Sequence, residues 1–256
     1  MKNPLNPETL TVLVTGATSG FGAAVCRRFA GAGAKVIATG RRKERLSALK
    51  KELGARCHVL QFDVTDRKAT EKALAGLPNE FSDVNVVVAN AGLALGLAPA
   101  HQSDMQDWET MIATNINGML YTVKAVLPGM VARDEGHVVL LGSTASDFPY
   151  PGGNVYGATK AFVKQFALNL RADLLGSNVR VTDIEPGLCE TEFSLVRFKG
   201  DAEKAAGPYK GIEALSAEDV AETIFWSVTL PRHININRMQ MMPVMQSFGP
   251  FAFKRK

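Results

Sequence analysis

The stretch "LTVLVTGATSGFG", residues 10–22, decides the fold. Its uncharged run of Leu, Thr and Val reads as a strand buried on both faces, and it ends in a turn that carries Gly16, Gly20 and Gly22. Small and apolar residues at helical spacing follow at once. Glycines in a strand-to-helix turn permit a tight backbone path, and the N–H groups there, with the helix N-terminus, form a cradle for an anion such as a pyrophosphate. The spacing is not the common Gly-x-Gly-x-x-Gly. On this turn alone, a purely packing role competes with cofactor binding.

Working outward, the strand signature recurs in "KVIATG" (35–40), "CHVLQFD" (57–63), "NVVVAN" (85–90), "HVVLLGS" (137–143) and "RVTDIEP" (180–186). Helical periods fill 21–30, 42–53, 66–77, 107–132 and 155–175. Strand and helix alternating this often predict one α/β domain over 1–256: a doubly wound, mostly parallel, seven-stranded sheet with helices on both faces. The rhythm breaks in 188–215. It resumes at 216–230, where Ser216 stands three residues before Asp219 as in a capping box, and "MQMMPV" (239–244) supplies the seventh strand. Residues 245–256 form a tail without a readable pattern. In such sheets ligands bind beyond the carboxyl ends of the strands, so residues placed there carry the most weight.

Bulk properties exclude several classes of function. Of 256 residues 46% are hydrophobic, enough for a substantial core, and the net charge of +4 is spread along the chain rather than gathered into a basic tract. That argues against a nucleic-acid partner. Cys26, Cys57 and Cys189 are far apart and odd in number, which predicts no disulfide frame and no metal site. The first ten residues lack the apolar core of a signal peptide, and no apolar run reaches bilayer length, so a cytoplasmic protein without a membrane partner is expected.

Three further motifs sit at strand ends: "ANAG" (89–92), "GSTAS" (142–146) and "YGATK" (156–160). Tyr156 and Lys160, four apart, share one helix face. Singly, each has a bland reading: Asn90 as a turn residue, Ser143 as a cap, Tyr156 as a half-buried aromatic, Lys160 as a solvated charge. Together, in this order, they resemble the short-chain dehydrogenase/reductase family over nearly the whole chain. Asn115 of "TNINGM" and Pro186, Gly187 and Thr191 of "EPGLCET" extend the likeness, and Ala89 replaces a second Asn found in many members. Longer runs, among them "GNVYGATKAFVKQFALNLRADL" and "TEFSLVRFKGD", are similar to a bacterial subgroup, the NADP-dependent 3-hydroxy acid dehydrogenases. That subgroup is also described as serine or allo-threonine dehydrogenases and malonic semialdehyde reductases.

The resemblance implies a Rossmann fold, hydride transfer to and from NADP(H), and a small hydroxy acid or semialdehyde as substrate. It implies Asn115, Ser143, Tyr156 and Lys160 as the catalytic set, with Asn115 holding a water that passes protons to Lys160. The cofactor site implied comprises Gly16, Thr18, Ser19, Gly20, Phe21, Gly22, Asp63, Val64, Asn90, Gly92, Tyr156, Lys160, Pro186, Gly187 and Thr191. It makes 188–215 a substrate loop and predicts a homotetramer built on the helices of 107–132 and 155–175. Tyr156 is the expected general base, its phenolate favoured by the Lys160 ammonium and the oxidised nicotinamide, while Ser143 binds the substrate oxygen.

Two sets of basic residues remain. The acid that would bind the ribose 2′-hydroxyl of NAD belongs at the end of the second strand, and Gly40 stands there, followed by Arg41 and Arg42. Guanidinium groups suit a 2′-phosphate, so NADP is expected, with Arg41 the main contact and Arg42 assisting, while Lys43 and Arg45 decorate the helix surface. A substrate carboxylate needs a cation, for which Arg197 and Lys199 are candidates; both also read as solvated loop charges. Two other functions stay open: reduction of another carbonyl class (3-oxoacyl, sugar or hydrophobic ketone), and a non-catalytic NADP-sensing module.

Overall fold

In the computed structural model, which describes residues 4–248, seven strands form one sheet in the order β3-β2-β1-β4-β5-β6-β7. The chain runs β1 (Thr11–Val14), α1 (Gly20–Gly31), β2 (Lys35–Gly40), α2 (Lys43–Leu53), β3 (Cys57–Gln61), α3 (Arg67–Ala75) and β4 (Val86–Ala89). It continues through α4 (Met105–Ile112), α5 (Met119–Ala132), β5 (Gly136–Leu141), α6 (Asn154–Asp173) and β6 (Val179–Pro186). The last elements are α7 (Phe193–Arg197), α8 (Ala202–Ala206), α9 (Ala217–Thr229) and β7 (Arg238–Met241). Every strand pair is parallel, so the sheet is wholly rather than mostly parallel. Strand order reverses between β1 and β4, and the crevice at their carboxyl ends becomes the ligand position.

The two faces of the sheet divide the core. Val12 and Val14 of β1 pack with Val25 and Phe29 of α1, Leu46 of α2 and Ile224 of α9, whereas Leu13 between them joins Val123 and Met130 of α5 and Val163 and Leu170 of α6. This alternation follows from the two-residue period of a strand, and each fully buried aliphatic side chain contributes about 1.5–3 kcal/mol. The helices start where polar residues cap them. Asp66 accepts from the Ala69 N–H (3.0 Å), Asp104 from the Gln106 N–H (2.9 Å), and Ser216 and Asp219 form the expected reciprocal box (3.1 and 2.8 Å).

The structure revises three expectations. The helix expected at 107–132 is α4 and α5 joined by a π turn, Ala113–Gly118. The wider turn carries Asn115 inward, where its Oδ1 accepts from the Leu93 N–H (2.8 Å) and its Nδ2 donates to the Leu93 carbonyl (2.8 Å) and Thr159 Oγ1 (3.1 Å). Those bonds offset the poorer helix geometry. Residues 188–215 hold the short helices α7 and α8 rather than an open loop. Strand β7 ends at Met241 instead of reaching 244, because Pro243 has no N–H to continue the ladder. Of the tail, 249–256 lie outside the described residues.

The three cysteines are buried and unpaired. Among the described residues no helix is long and apolar enough to cross a membrane.

Candidate active site

A cleft of about 690 Å³ opens at the carboxyl ends of the strands. Every site residue expected from the sequence lines it except Gly22 and Asn115, which stand directly behind, and Lys199. The glycine turn is fixed by β4: Asn90 Nδ2 donates to the Thr15 carbonyl (2.8 Å), and Thr15 Oγ1 accepts from the N–H groups of Asn90 and Ala91 (both 3.0 Å). Gly16 has φ +66°, and a Cβ on Gly22 would fall 2.4 Å from the Gly16 carbonyl oxygen. The turn is therefore closed so tightly that only glycine fits at either position, which leaves the N-terminus of α1 open to an anion.

Beside it, the basic residues take an arrangement that spacing did not show. Arg42 donates from Nε to Thr18 Oγ1 (3.0 Å), from Nη2 to Ser19 Oγ (2.7 Å) and from Nη1 to Glu192 Oε2 (3.0 Å). Arg45 donates to Glu192 Oε1 (2.6 Å), so it belongs to this cluster instead of merely decorating α2. The Arg41 side chain is 70% exposed, and its one ion pair among the described residues is a loose 3.5 Å approach to Asp63. Its guanidinium donors face the cleft largely uncommitted.

Ser143, Tyr156 and Lys160 meet deeper in the cleft. Ser143 follows β5 and its Oγ accepts from the Ala145 N–H (3.1 Å), which holds the hydroxyl at the cleft floor. Lys160 is buried and its Nζ donates to the Leu141 carbonyl at 2.6 Å, 5.8 Å from the Tyr156 ring centroid. The sequence led us to expect a Tyr156 pKa lowered by Lys160. In the protein alone, burial wins: Tyr156 is pushed up to about 12, against the smaller downward pulls of the Ser143 hydrogen bond and the Arg197 charge. Burial also brings Lys160 down to about 8, partly opposed by the Asp183 carboxylate. Tyr156 is thus protonated, the state of a general acid.

Over Tyr156 lies α7. The Arg197 guanidinium is 5.1 Å from the Tyr156 ring, 5.2 Å from Phe193 and 5.8 Å from Tyr150, and it donates to the Tyr150 hydroxyl (2.8 Å). Its Nε is buried with no hydrogen-bond partner among the described residues. Such a donor is costly unless something completes it. Lys199 is placed differently. It is 60% exposed, pairs with Asp107 at 2.9 Å and ties the end of α7 to α4, so it is no longer a candidate for the substrate carboxylate.

The sequence reading missed an aromatic wall. Phe148, Tyr150, Phe193 and Phe248 line the cleft, and the Phe148 and Phe248 rings lie 4.6 Å apart. The described start of the tail thus closes one side of the site, where Gln246 Oε1 also accepts from the Leu188 N–H (2.7 Å). The signal available was "DFPYPGG", residues 147–153, two aromatics in a Pro- and Gly-rich segment after a strand end.

A parallel sheet whose glycine turn, Asn90, Ser143, Tyr156 and Lys160 face one crevice defines a dinucleotide-dependent dehydrogenase of short-chain type. Residues 10–201 match the family described as short chain dehydrogenase, and the chain belongs to that family. It is 59% identical over 247 residues to an NADP-dependent 3-hydroxy acid dehydrogenase of Salmonella typhi, covering 96% of this chain and all of that protein. To a serine 3-dehydrogenase of Rhizobium radiobacter it is 55% identical over 246 residues, covering 96% of this chain and 98% of the relative. Among solved structures, a serine dehydrogenase in a closed form complexed with NADP+ superposes with a TM-score of 0.95 at 58% identity, covering 96% and 99% of the two chains.

Proposed function

We propose that this NADP-dependent short-chain dehydrogenase interconverts a small 3-hydroxy acid, of the serine, allo-threonine or 3-hydroxypropionate type, and its 3-oxo acid or semialdehyde. The observation that carries the reading is the Arg197 guanidinium above Tyr156, its Nε buried and without a partner among the described residues, where a substrate carboxylate would sit. The cleft fits a dinucleotide: Gly16 and Gly22 leave the backbone bare for a pyrophosphate, and Arg41 and Arg42 stand at the 2′-phosphate end. When bound, the nicotinamide supplies hydride exchange at the carbinol carbon.

The chain's own residues supply the rest. Ser143 orients the substrate oxygen and stabilises the charge that develops on it. Tyr156 gives its phenolic proton to that oxygen in reduction and removes it in oxidation. Lys160 holds positive charge one helical turn away, and Asn115 locks Leu93 to Thr159, which fixes the wall beside Lys160. Intact Ser143, Tyr156 and Lys160 give a sensing module nothing to do, which favours an enzyme.

A panel of serine, allo-threonine, 3-hydroxypropionate, malonic semialdehyde and a 3-oxoacyl thioester, each with NADP(H) and NAD(H), tests the substrate class. Highest kcat/KM for the free carboxylates is expected, and preference for the thioester would sink the assignment. For the cofactor, Arg41→Ala should raise the KM for NADP about 10- to 100-fold and leave NAD unaffected, since each charge-assisted hydrogen bond is worth about 1.5–3 kcal/mol. Arg42→Ala should weaken both cofactors, because Arg42 also braces Thr18 and Ser19. Equal effects of Arg41→Ala on the two cofactors would refute the 2′-phosphate role.

Exposed Ile112, Val131, Phe162 and Leu168 on α4, α5 and α6 support a homotetramer. Light scattering should return four times the chain mass; a monomeric mass would reject it.

A further inference from the structure

Lys160 poses an electrostatic problem that the catalytic set does not solve. Its ammonium is buried at 7% exposure, forms no ion pair within 4 Å among the described residues, and is bonded to a neutral carbonyl, Leu141 O. A buried cation without a counter-charge gives up its proton. On β6, Asp183 poses the converse problem. It is 0% exposed, and neither carboxyl oxygen has a hydrogen-bond partner among the described residues. Its place is built: Asp183 stands beside Leu140 across the β5–β6 ladder, and a Cβ on Gly142, the residue before Ser143, would fall 2.4 Å from Asp183 Oδ1. The strand end that presents Ser143 therefore makes room for this carboxyl.

We propose that Asp183 is a positioning residue for the reaction, the internal counter-charge that keeps Lys160 an ammonium seated against the Leu141 carbonyl. The inference rests on the reading of Tyr156 and Lys160 as the proton-handling pair. Around the two groups, β6 also contributes Glu185, α6 contributes Tyr156, α7 contributes Arg197 and β7 contributes Arg238. Glu185 is fully buried but already neutralised, since Arg238 donates to both its oxygens (3.1 and 2.6 Å) and Ser146 donates to one (3.2 Å). Arg238 is in turn shared with Asp147. Arg197 lies over the ring of Tyr156. Asp183, by contrast, has no such donor among the described residues.

Burial first, and then the neighbouring Glu185, push the Asp183 carboxyl well above the usual carboxylate range, while burial brings Lys160 down to about 8 against the opposing pull of Asp183. As pH rises Asp183 ionises, and its negative charge opposes the loss of the Lys160 proton, which burial alone would bring on at lower pH. Asp183 therefore protects activity on the alkaline side.

The test is the pH dependence of kcat/KM, from 6.5 to 10, for Asp183→Asn and Asp183→Ser beside the unmodified enzyme, with circular dichroism to verify folding. The ratio of variant to unmodified activity should fall at least about fivefold between pH 7 and pH 9.5, the alkaline limb moving to lower pH. A loss of the same factor at every pH would mean a packing role and overturn the proposal, as would an unchanged profile. Should Asp183→Asn not fold, the serine variant, smaller and equally neutral, decides. Lys160→Met is measured alongside: if it keeps turnover, the reading of the catalytic pair fails; if it is inactive and the Asp183 profiles run parallel to the unmodified one, only the inference about Asp183 fails.

Discussion

Tyr156→Phe should lower kcat by about three orders of magnitude while leaving the dissociation constant of NADPH, read by fluorescence titration, within about threefold. General acid–base catalysis by a placed side chain contributes about 10²–10⁴, and the proposed mechanism assigns it to one hydroxyl in both directions. The variant loses a single oxygen, so the ring keeps its packing on Phe193, 5.7 Å between centroids. The pH behaviour of the unmodified enzyme follows from the same group. With the phenol pushed up to about 12 by burial, reduction needs the protonated form and should be level through neutral pH. Oxidation needs the phenolate, so its rate should rise with pH across the range that the fold tolerates. Retention of a tenth or more of the activity by Tyr156→Phe would show that another group moves the proton.

The direction of that pKa was not legible in the sequence, and the reason is instructive. Spacing of four places Lys160 and Tyr156 on one helix face, but it says nothing about where the lysine side chain goes or how deep the phenol lies. The Leu141 carbonyl at the end of β5 captures the ammonium, and desolvation decides the rest. The fold itself was legible, because the apolar runs of β1 to β6 and the caps at Asp66 and Ser216 are local signals. The site was legible to the extent that its parts follow strand ends: the glycine turn, Asn90, Ser143 and Tyr156. Contacts made by segments that only the tertiary fold brings together were not. Glu192 closing on Arg42 and Arg45 and Tyr150 meeting Arg197 each join residues far apart in the chain. The π turn that aims Asn115 belongs with them, since only its partners Leu93 and Thr159 explain it.

Arg197→Ala should cut kcat/KM for serine and 3-hydroxypropionate about 10²- to 10³-fold, because truncating one member of a desolvated charge pair costs about 2–5 kcal/mol. The proposed role gives the guanidinium two separable effects. As carboxylate partner it acts through KM and only on substrates that bring an anion. As a cation 5.1 Å from the Tyr156 ring it favours the phenolate, which acts on every substrate in oxidation. Arg197→Lys keeps the charge and loses the flat fork that can serve Tyr150 and a carboxylate together. It should therefore raise KM for the hydroxy acids while leaving the pH profile for a neutral alcohol in place, whereas Arg197→Ala should move the acid limb of that profile to higher pH. Lys199→Ala, with its ammonium turned away onto Asp107, should leave KM for the hydroxy acids unchanged. A KM effect of Lys199→Ala equal to that of Arg197→Ala would return the carboxylate to the solvated end of α7 and separate it from the aromatic cage around Tyr156.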